Sequence, residues 1–251
     1  MNRTKVCCTG STPAIRYAKE FLQNDGIAVT DELRWDTKHL LLDVPSFRDG
    51  RLRSGATVDT LIEALPKDIH IWGGNLDHPA LQNYHTTDLL EDETFLAENA
   101  AITADCALKI ASPLLHTTLK DTEILIVGWG RIGKCLGHML KAIGSDPIIA
   151  ARNPAHRAAL ISLGYRSTDT AHLEPALPEC RLIFNTVPSL IISQQQLELC
   201  PDAIRVDLAS KKGIDGTDVI WARGLPGIHA PESSGKLIAR TIIRRLEEDD
   251  S

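Results

Sequence analysis

Short apolar runs alternate along the chain with segments in which apolar residues return every three or four positions. The first run, residues 5–9, reads as a strand, and Gly10-Ser11-Thr12-Pro13 then makes a turn whose proline suits a helix start. Ile15, Ala18, Phe21 and Leu22 recur at helical spacing until Asn24-Asp25-Gly26 ends the pattern. Further strands are predicted at 27–29, at 39–44 up to Pro45, and at 69–72 before Gly73-Gly74. Val58, Leu61, Ile62 and Leu65 mark the helix between the last two. A long helix is predicted over 92–112, with Phe95, Leu96, Asn99, Ile102, Thr103, Cys106 and Ile110 near one face.

The alternation resumes beyond it. A strand at 123–127 leads into a helix over 131–143, where Ile132, Cys135, Leu136, Met139, Leu140 and Ile143 form a strongly amphipathic stripe. Strands follow at 147–150, 181–185, 203–207 and, more weakly, 219–221, with a helix over 154–163. Gly224-Leu225-Pro226-Gly227 reads as a turn, and a last helix spans 232–247 before a polar tail. Strands alternating with helices imply parallel sheets covered by helices. The expected fold is therefore α/β in two domains: a Rossmann-type doubly wound parallel sheet over 98–231 and a smaller flavodoxin-like or Rossmann-like domain over 1–97. Residues 232–251 are expected to pack back on the smaller domain.

Composition narrows the function classes. The 251 residues carry 27 Lys and Arg against 33 Asp and Glu, a formal charge of −6. That balance argues against a general nucleic-acid binder, which needs basic excess to neutralise phosphates. No apolar run reaches the roughly 18 residues of a membrane span, and no signal-peptide core is visible. The six cysteines, at 7, 8, 106, 135, 180 and 200, show neither C-x-x-C nor zinc-ligand spacing. They are expected to be small buried thiols in a reducing compartment, with cytoplasm the expected location and no metal site.

The chemical signal is Gly128-Trp129-Gly130-Arg131-Ile132-Gly133, a G-x-G-x-x-G placed between a predicted strand and a predicted helix. The first glycine permits the tight turn, the second lets backbone approach a pyrophosphate, and the third lets helix pack on strand. Amide groups at the helix start, with the helix dipole, favour the phosphate charge. An NAD site usually carries an acid at the end of the next strand to hold the ribose 2′-hydroxyl. Here Ala151-Arg152-Asn153 stands there, with Arg152 about 20 residues past the last glycine. A guanidinium without a neighbouring carboxylate suits a 2′-phosphate, so NADP(H) is expected over NAD(H). Thr186-Val187-Pro188 and Leu208-Ala209-Ser210 follow later strands and are expected to line the nicotinamide side.

Several segments together resemble the A subunit of dipicolinate synthase from spore-forming bacteria: Asp92-Glu93-Thr94-Phe95-Leu96-Ala97-Glu98-Asn99-Ala100-Ala101-Ile102-Thr103-Ala104, the glycine loop, Asp207-Leu208-Ala209-Ser210, and Arg223-Gly224-Leu225-Pro226-Gly227-Ile228. The resemblance covers the chain from about Leu89 onward. It implies a relative of the D-2-hydroxyacid dehydrogenases, an NADP-linked oxidation of a dihydro- or hydroxytetrahydro-dipicolinate to dipicolinate, a role in sporulation, a homo-oligomer and a second, flavoprotein-like partner subunit. The family tends to have Ala-Pro-Lys-Thr-Ala-Gly where this chain has Ala230-Pro231-Glu232-Ser233-Ser234-Gly235. An NADP-dependent dehydrogenase of another 2-oxo or 2-hydroxy acid, or a non-catalytic NADP(H)-binding regulatory subunit, are the alternatives.

Such an oxidation removes a hydride and a proton, and a dicarboxylate needs cationic partners. Candidates for the proton are His229, Asp207 and Lys211, with Asp207 equally readable as a structural cap. Candidate carboxylate partners are Arg48, Arg51, Arg53, Lys211 and Lys212. Asn99 and Thr103, four apart on one helix, are candidate substrate contacts.

Overall fold

A computed structural model describes residues 5–48, 51–53, 55 and 57–249. The Arg48 side chain, the first four residues and the last two lie outside this set. Contacts divide the chain into two units, Met1–Asn99 with Pro226–Ser251, and Ala100–Leu225.

The first unit contains β1 (Lys5–Cys8), α1 (Pro13–Asn24), β2 (Ala28–Thr30), β3 (His39–Leu41), the short pair β4 (Phe47–Arg48) and β5 (Arg51–Leu52), α2 (Val58–Ala64), β6 (His70–Gly73), β7 (His85–Asp88) and the start of α3 (Glu93–Ala111). Its main sheet is parallel, in the order β2-β1-β3-β6-β7. On one face Cys7, Leu40, Leu42, Ile69 and Ile71 are buried, with Leu61 and Ile62 of α2 packed against them. Period-two alternation thus places Cys7 and Cys8 on opposite faces, and both are buried.

The second unit holds the rest of α3, then β8 (Ile124–Val127), α4 (Arg131–Ala142), β9 (Ile148–Ala150), α5 (Pro154–Ser162), β10 (Arg166–Thr168), β11 (Leu182–Asn185), α6 (Gln194–Leu197), β12 (Ile204–Asp207), β13 (Val219–Trp221) and the first residue of α7 (Leu225–His229). Its six strands, all parallel, run β10-β9-β8-β11-β12-β13. The chain begins at the centre, winds to one edge and returns across β8 to the other. That is the doubly wound order, and the two-domain α/β fold expected from the alternation is the one observed.

The last helix, α8 (Pro231–Asp249), belongs to the first unit and packs on α1. Gly235 sits at their closest approach: a Cβ there would lie 2.4 Å from the Ala14 carbonyl oxygen and 2.6 Å from Tyr17 Cβ. At its other end Arg244 and Arg245 pair with the buried Asp92 carboxylate at 2.7 and 2.6 Å, while Asp92 also accepts the Phe95 amide at 2.8 Å to cap α3.

Several expectations are corrected. The run at 39–44 forms a strand only over His39–Leu41, because Asp43 turns inward to bond the start of α1. Gly224–Gly227 is not a free turn; Leu225 begins a short helix, with Pro226 in its first turn, where its missing N–H costs nothing. Edge strands β7 (HTTD) and β10 (RST) escape the pattern because they are polar and half-buried. Five cysteines are buried and Cys135 is half-buried; all six are free thiols. Among the described residues no helix is long and apolar enough to cross a membrane.

Candidate functional site

The strand order of the second unit reverses between β8 and β11, and the glycine loop leaves β8 at that point. The three glycines meet three different environments. Gly128 has φ +106°, a left-handed conformation, and a Cβ there would lie 2.3 Å from Thr186 Oγ1. Gly133 packs α4 onto the loop so closely that a Cβ would sit 2.1 Å from the Gly128 carbonyl oxygen. Gly130 faces open space, with nothing within 4 Å of its Cβ position. It is also the N-cap of α4, and no side chain caps that helix start. The first amides of α4 therefore lack intrahelical partners beside a spot where backbone is accessible, which is what a pyrophosphate requires. The residues present fit a dinucleotide phosphate.

Neighbours hold this loop in place. Thr186, at the end of β11, bonds the Val127 carbonyl through both its amide at 2.9 Å and its hydroxyl at 3.0 Å. The half-buried Trp129 ring lies over Gly137, where a Cβ would meet it at 3.1 Å, and meets Tyr165 edge-on at 5.7 Å. Arg131 is exposed and Ile132 half-buried on the first turn of α4.

At the end of β9, Ala151 is buried while Arg152 and Asn153 are exposed. Asn153 caps α5 by accepting the Ala155 amide at 2.8 Å. Arg152 makes no ion pair with another described residue, so its guanidinium is available to solvent at this strand end. Sequence reasoning missed Arg157. Its Nη1 donates to the carbonyls of both Ala151 and Arg152 at 2.8 Å, and pairs with Asp169 at 2.9 Å. The only sequence signal was its place one turn into a helix that opens Asn-Pro.

Asp207 lies at the end of β12, fully buried. Its carboxylate accepts four donors: Asn185 Nδ2 at 2.9 Å, and the amides of Ala209 at 3.1 Å, Gly213 at 2.7 Å and Ile214 at 3.2 Å. A carboxylate offers about four acceptor positions, so Asp207 is committed to shaping the 208–214 loop. Its cap reading is the one the geometry carries. Gly213 is needed there, since a Cβ would lie 2.3 Å from Asn185 Nδ2. Leu208 and Ala209 are buried in that loop, while Ser210, Lys211 and Lys212 are exposed. Val187 is half-buried and its amide bonds Asn185 Oδ1 at 3.0 Å; Pro188 is exposed.

The remaining candidates are dispersed. His229 is exposed at the end of α7. Asn99 is half-buried and Thr103 buried on α3, and both have bonding partners. Arg51 is exposed; Arg53 lines a cavity of about 210 Å³ with Thr9, Gly10, Asp43 and Ser46. Among the described residues no group of His, Cys, Asp or Glu is arranged to hold a metal ion.

No family model matches the chain. Over 171 residues it is 28% identical to the A subunit of dipicolinate synthase from Bacillus subtilis (strain 168), a match that takes in 64% of this chain and 57% of that protein. The chain thus spans a little over half the length of that relative. The crystal structure of the A subunit of dipicolinate synthase from Bacillus halodurans superposes with a TM-score of 0.85 at 21% identity, covering 97% of each chain. An NAD-complexed D-isomer-specific 2-hydroxyacid dehydrogenase from Lactobacillus delbrueckii ssp. bulgaricus gives 0.56 at 13% identity, covering 98% of each. The chain is similar in sequence to the dipicolinate synthase protein and shares its fold with that protein and with the dehydrogenase.

Proposed function

We propose that this chain is an NADP-linked oxidoreductase of the dipicolinate synthase type, oxidising a dihydro- or hydroxytetrahydro-dipicolinate to dipicolinate. The observation that carries the reading is the uncapped start of α4 with open space at Gly130, beside a strand end that bears Arg152 and no acid. Bound NADP⁺ supplies the hydride acceptor. The amides of Arg131, Ile132 and Gly133 hold its pyrophosphate, and Arg152 pairs with the 2′-phosphate. Ala151 and Asn153 frame the adenosine ribose. Thr186, Val187, Pro188, Leu208, Ala209 and Ser210 line the nicotinamide side, since ligands of open α/β sheets lie beyond the strands' carboxyl ends.

Aromatising a dihydro ring removes one hydride and one proton; a hydroxytetrahydro ring must lose a molecule of water as well. With Asp207 committed to its loop, Lys211 and His229 are the titratable side chains assigned to the proton, and Asn99 and Thr103 are assigned to substrate. The protein works in the cytoplasm as a homo-oligomer with a second, flavoprotein-like partner. The relative in Bacillus subtilis is one subunit of a synthase, which supports that second component.

Two measurements test this. Absorbance of NADPH should rise when NADP⁺, the protein and the cyclic dihydro-substrate are mixed, with or without the second component. Binding of NADPH without turnover under every pairing would favour a regulatory role instead. In Arg152→Ala the preference for NADPH over NADH should fall about tenfold or more, as expected for losing one charge-assisted phosphate contact; an unchanged ratio refutes the NADP assignment.

A further inference from the structure

Val127, Asn185, Asp207 and Trp221 lie in one register row across the carboxyl end of the second unit's sheet. Trp221 ends the edge strand β13, about 14 Å from Val127 at three strand spacings, on the β11–β12 side of the reversal point. Its indole is not a loose surface ring. The Nε1 donates to the Ala209 carbonyl at 3.0 Å, which fixes it against the loop that Asp207 organises. Yet 39% of the residue remains exposed.

Two cations converge on this ring. Lys212 Nζ lies 5.5 Å and the Arg223 guanidinium carbon 5.1 Å from its centroid. Both side chains are exposed, and neither forms an ion pair with another described residue. The Asp207 carboxylate cannot serve them, because it is buried and fully bonded. Two like charges held near one indole repel, and the ring quadrupole offsets only part of that. An anion offsets the rest. On a chain of net charge −6 this spot is locally doubly positive.

We propose that Trp221, Lys212 and Arg223 form the docking site for a small, planar dicarboxylate: its two carboxylates pair with Lys212 and Arg223, and its ring rests on the exposed part of the indole. The proposal rests on the function above and names the residues that select its substrate class. Arg223 offers a planar fork to one carboxylate and Lys212 a point charge to the other, while the hydrogen-bonded indole needs no reordering to receive a ring.

The test is calorimetric titration of the full chain with pyridine-2,6-dicarboxylate and, separately, with NADPH. Lys212→Ala, Arg223→Ala and Trp221→Leu should each weaken the dicarboxylate about tenfold, Arg223→Lys should restore part of the loss, and pyridine-2-carboxylate should bind the wild type more weakly. NADPH affinity should stay unchanged in Lys212→Ala and Arg223→Ala, and the far-ultraviolet circular dichroism in all variants, which separates lost docking from lost folding. The proposal is overturned if the wild type does not bind the dicarboxylate, or if the three variants bind it as the wild type does. If NADPH fails to bind while dicarboxylate binding still depends on these three residues, the docking site stands and the dinucleotide reading falls.

Discussion

The carboxylate of Asp43 accepts the Thr12 amide at 2.9 Å and the Thr12 hydroxyl at 2.6 Å, and its other oxygen takes the Ser11 amide at 3.0 Å. The strand-glycine-helix turn of the first unit is thereby filled by the protein's own anion. Asp43 is buried, and Gly10 leaves it room, since a Cβ there would lie 3.0 Å from Asp43 Oδ1. Asp43→Ala should lose about 1–2 kcal/mol, the cost of the bonds it makes at the half-buried start of α1. Urea unfolding measures this. NADPH affinity should not change; a stability within about 0.5 kcal/mol of wild type would contradict the assigned role.

The equivalent turn in the second unit is open, and its glycines should separate by substitution. Gly130 has φ −83° and free space around its Cβ position, so Gly130→Ala should fold normally and lose NADPH affinity, because the methyl stands where the phosphate approaches. In Gly133→Ala the new Cβ meets backbone at 2.1 Å, and α4 must move off β8. That variant should lose roughly 2 kcal/mol or more of stability. Thermal melts paired with calorimetry distinguish the two, and the same phenotype in both would refute the division of labour.

Acid should loosen the first unit through Asp92. Burial alone raises its pKa, but the Phe95 amide and the Arg244 and Arg245 guanidiniums outweigh that and hold it at about 2, against an ordinary 3.8. A pKa depressed in the folded state contributes stability above the unfolded value, and that contribution is lost as pH falls through the folded one. The contribution should therefore be complete above about pH 4 and decay toward pH 2. Discounted for the partly exposed arginines, it amounts to about 1–2 kcal/mol. The double variant Arg244→Ala, Arg245→Ala keeps the Phe95 amide bond, so it should lose stability at pH 7 and show a flatter, not absent, acid limb in denaturant titrations.

Gly235→Ala probes the contact between α1 and α8. The added methyl would press on the Ala14 carbonyl and the Ala18 amide, at 2.4 and 2.8 Å, and backbone cannot yield there as a flexible side chain would. A loss of about 1–3 kcal/mol is expected. Calorimetric melting checks it; an unchanged melting temperature would mean that the two helices separate at no cost.

The alternation of apolar runs and helical stripes was sufficient to anticipate two parallel-sheet units, because buried parallel strands must be apolar and their crossover helices amphipathic. It failed at β7 and β10, edge strands whose polar residues face solvent and carry no run. It also failed to separate Asp207 the proton acceptor from Asp207 the cap, since the donors that decide come from Asn185 on a neighbouring strand and Gly213 across a loop.

By itself the sequence determined where chain could turn tightly from strand to helix: Gly10 in one unit and Gly128 to Gly133 in the other. Only the tertiary structure decided which of those turns remains open to a ligand. Neither α1 nor α4 has its N-cap side chain bonded to the helix. The difference is that Asp43, 31 residues from Thr12, bonds the Ser11 and Thr12 amides because β1 and β3 are neighbours in the sheet, whereas the Gly130 Cβ position faces open space. An anion supplied from a distant strand leaves no mark in the local pattern, so strand pairing, not the glycines, separates a self-sealed turn from one that can bind phosphate.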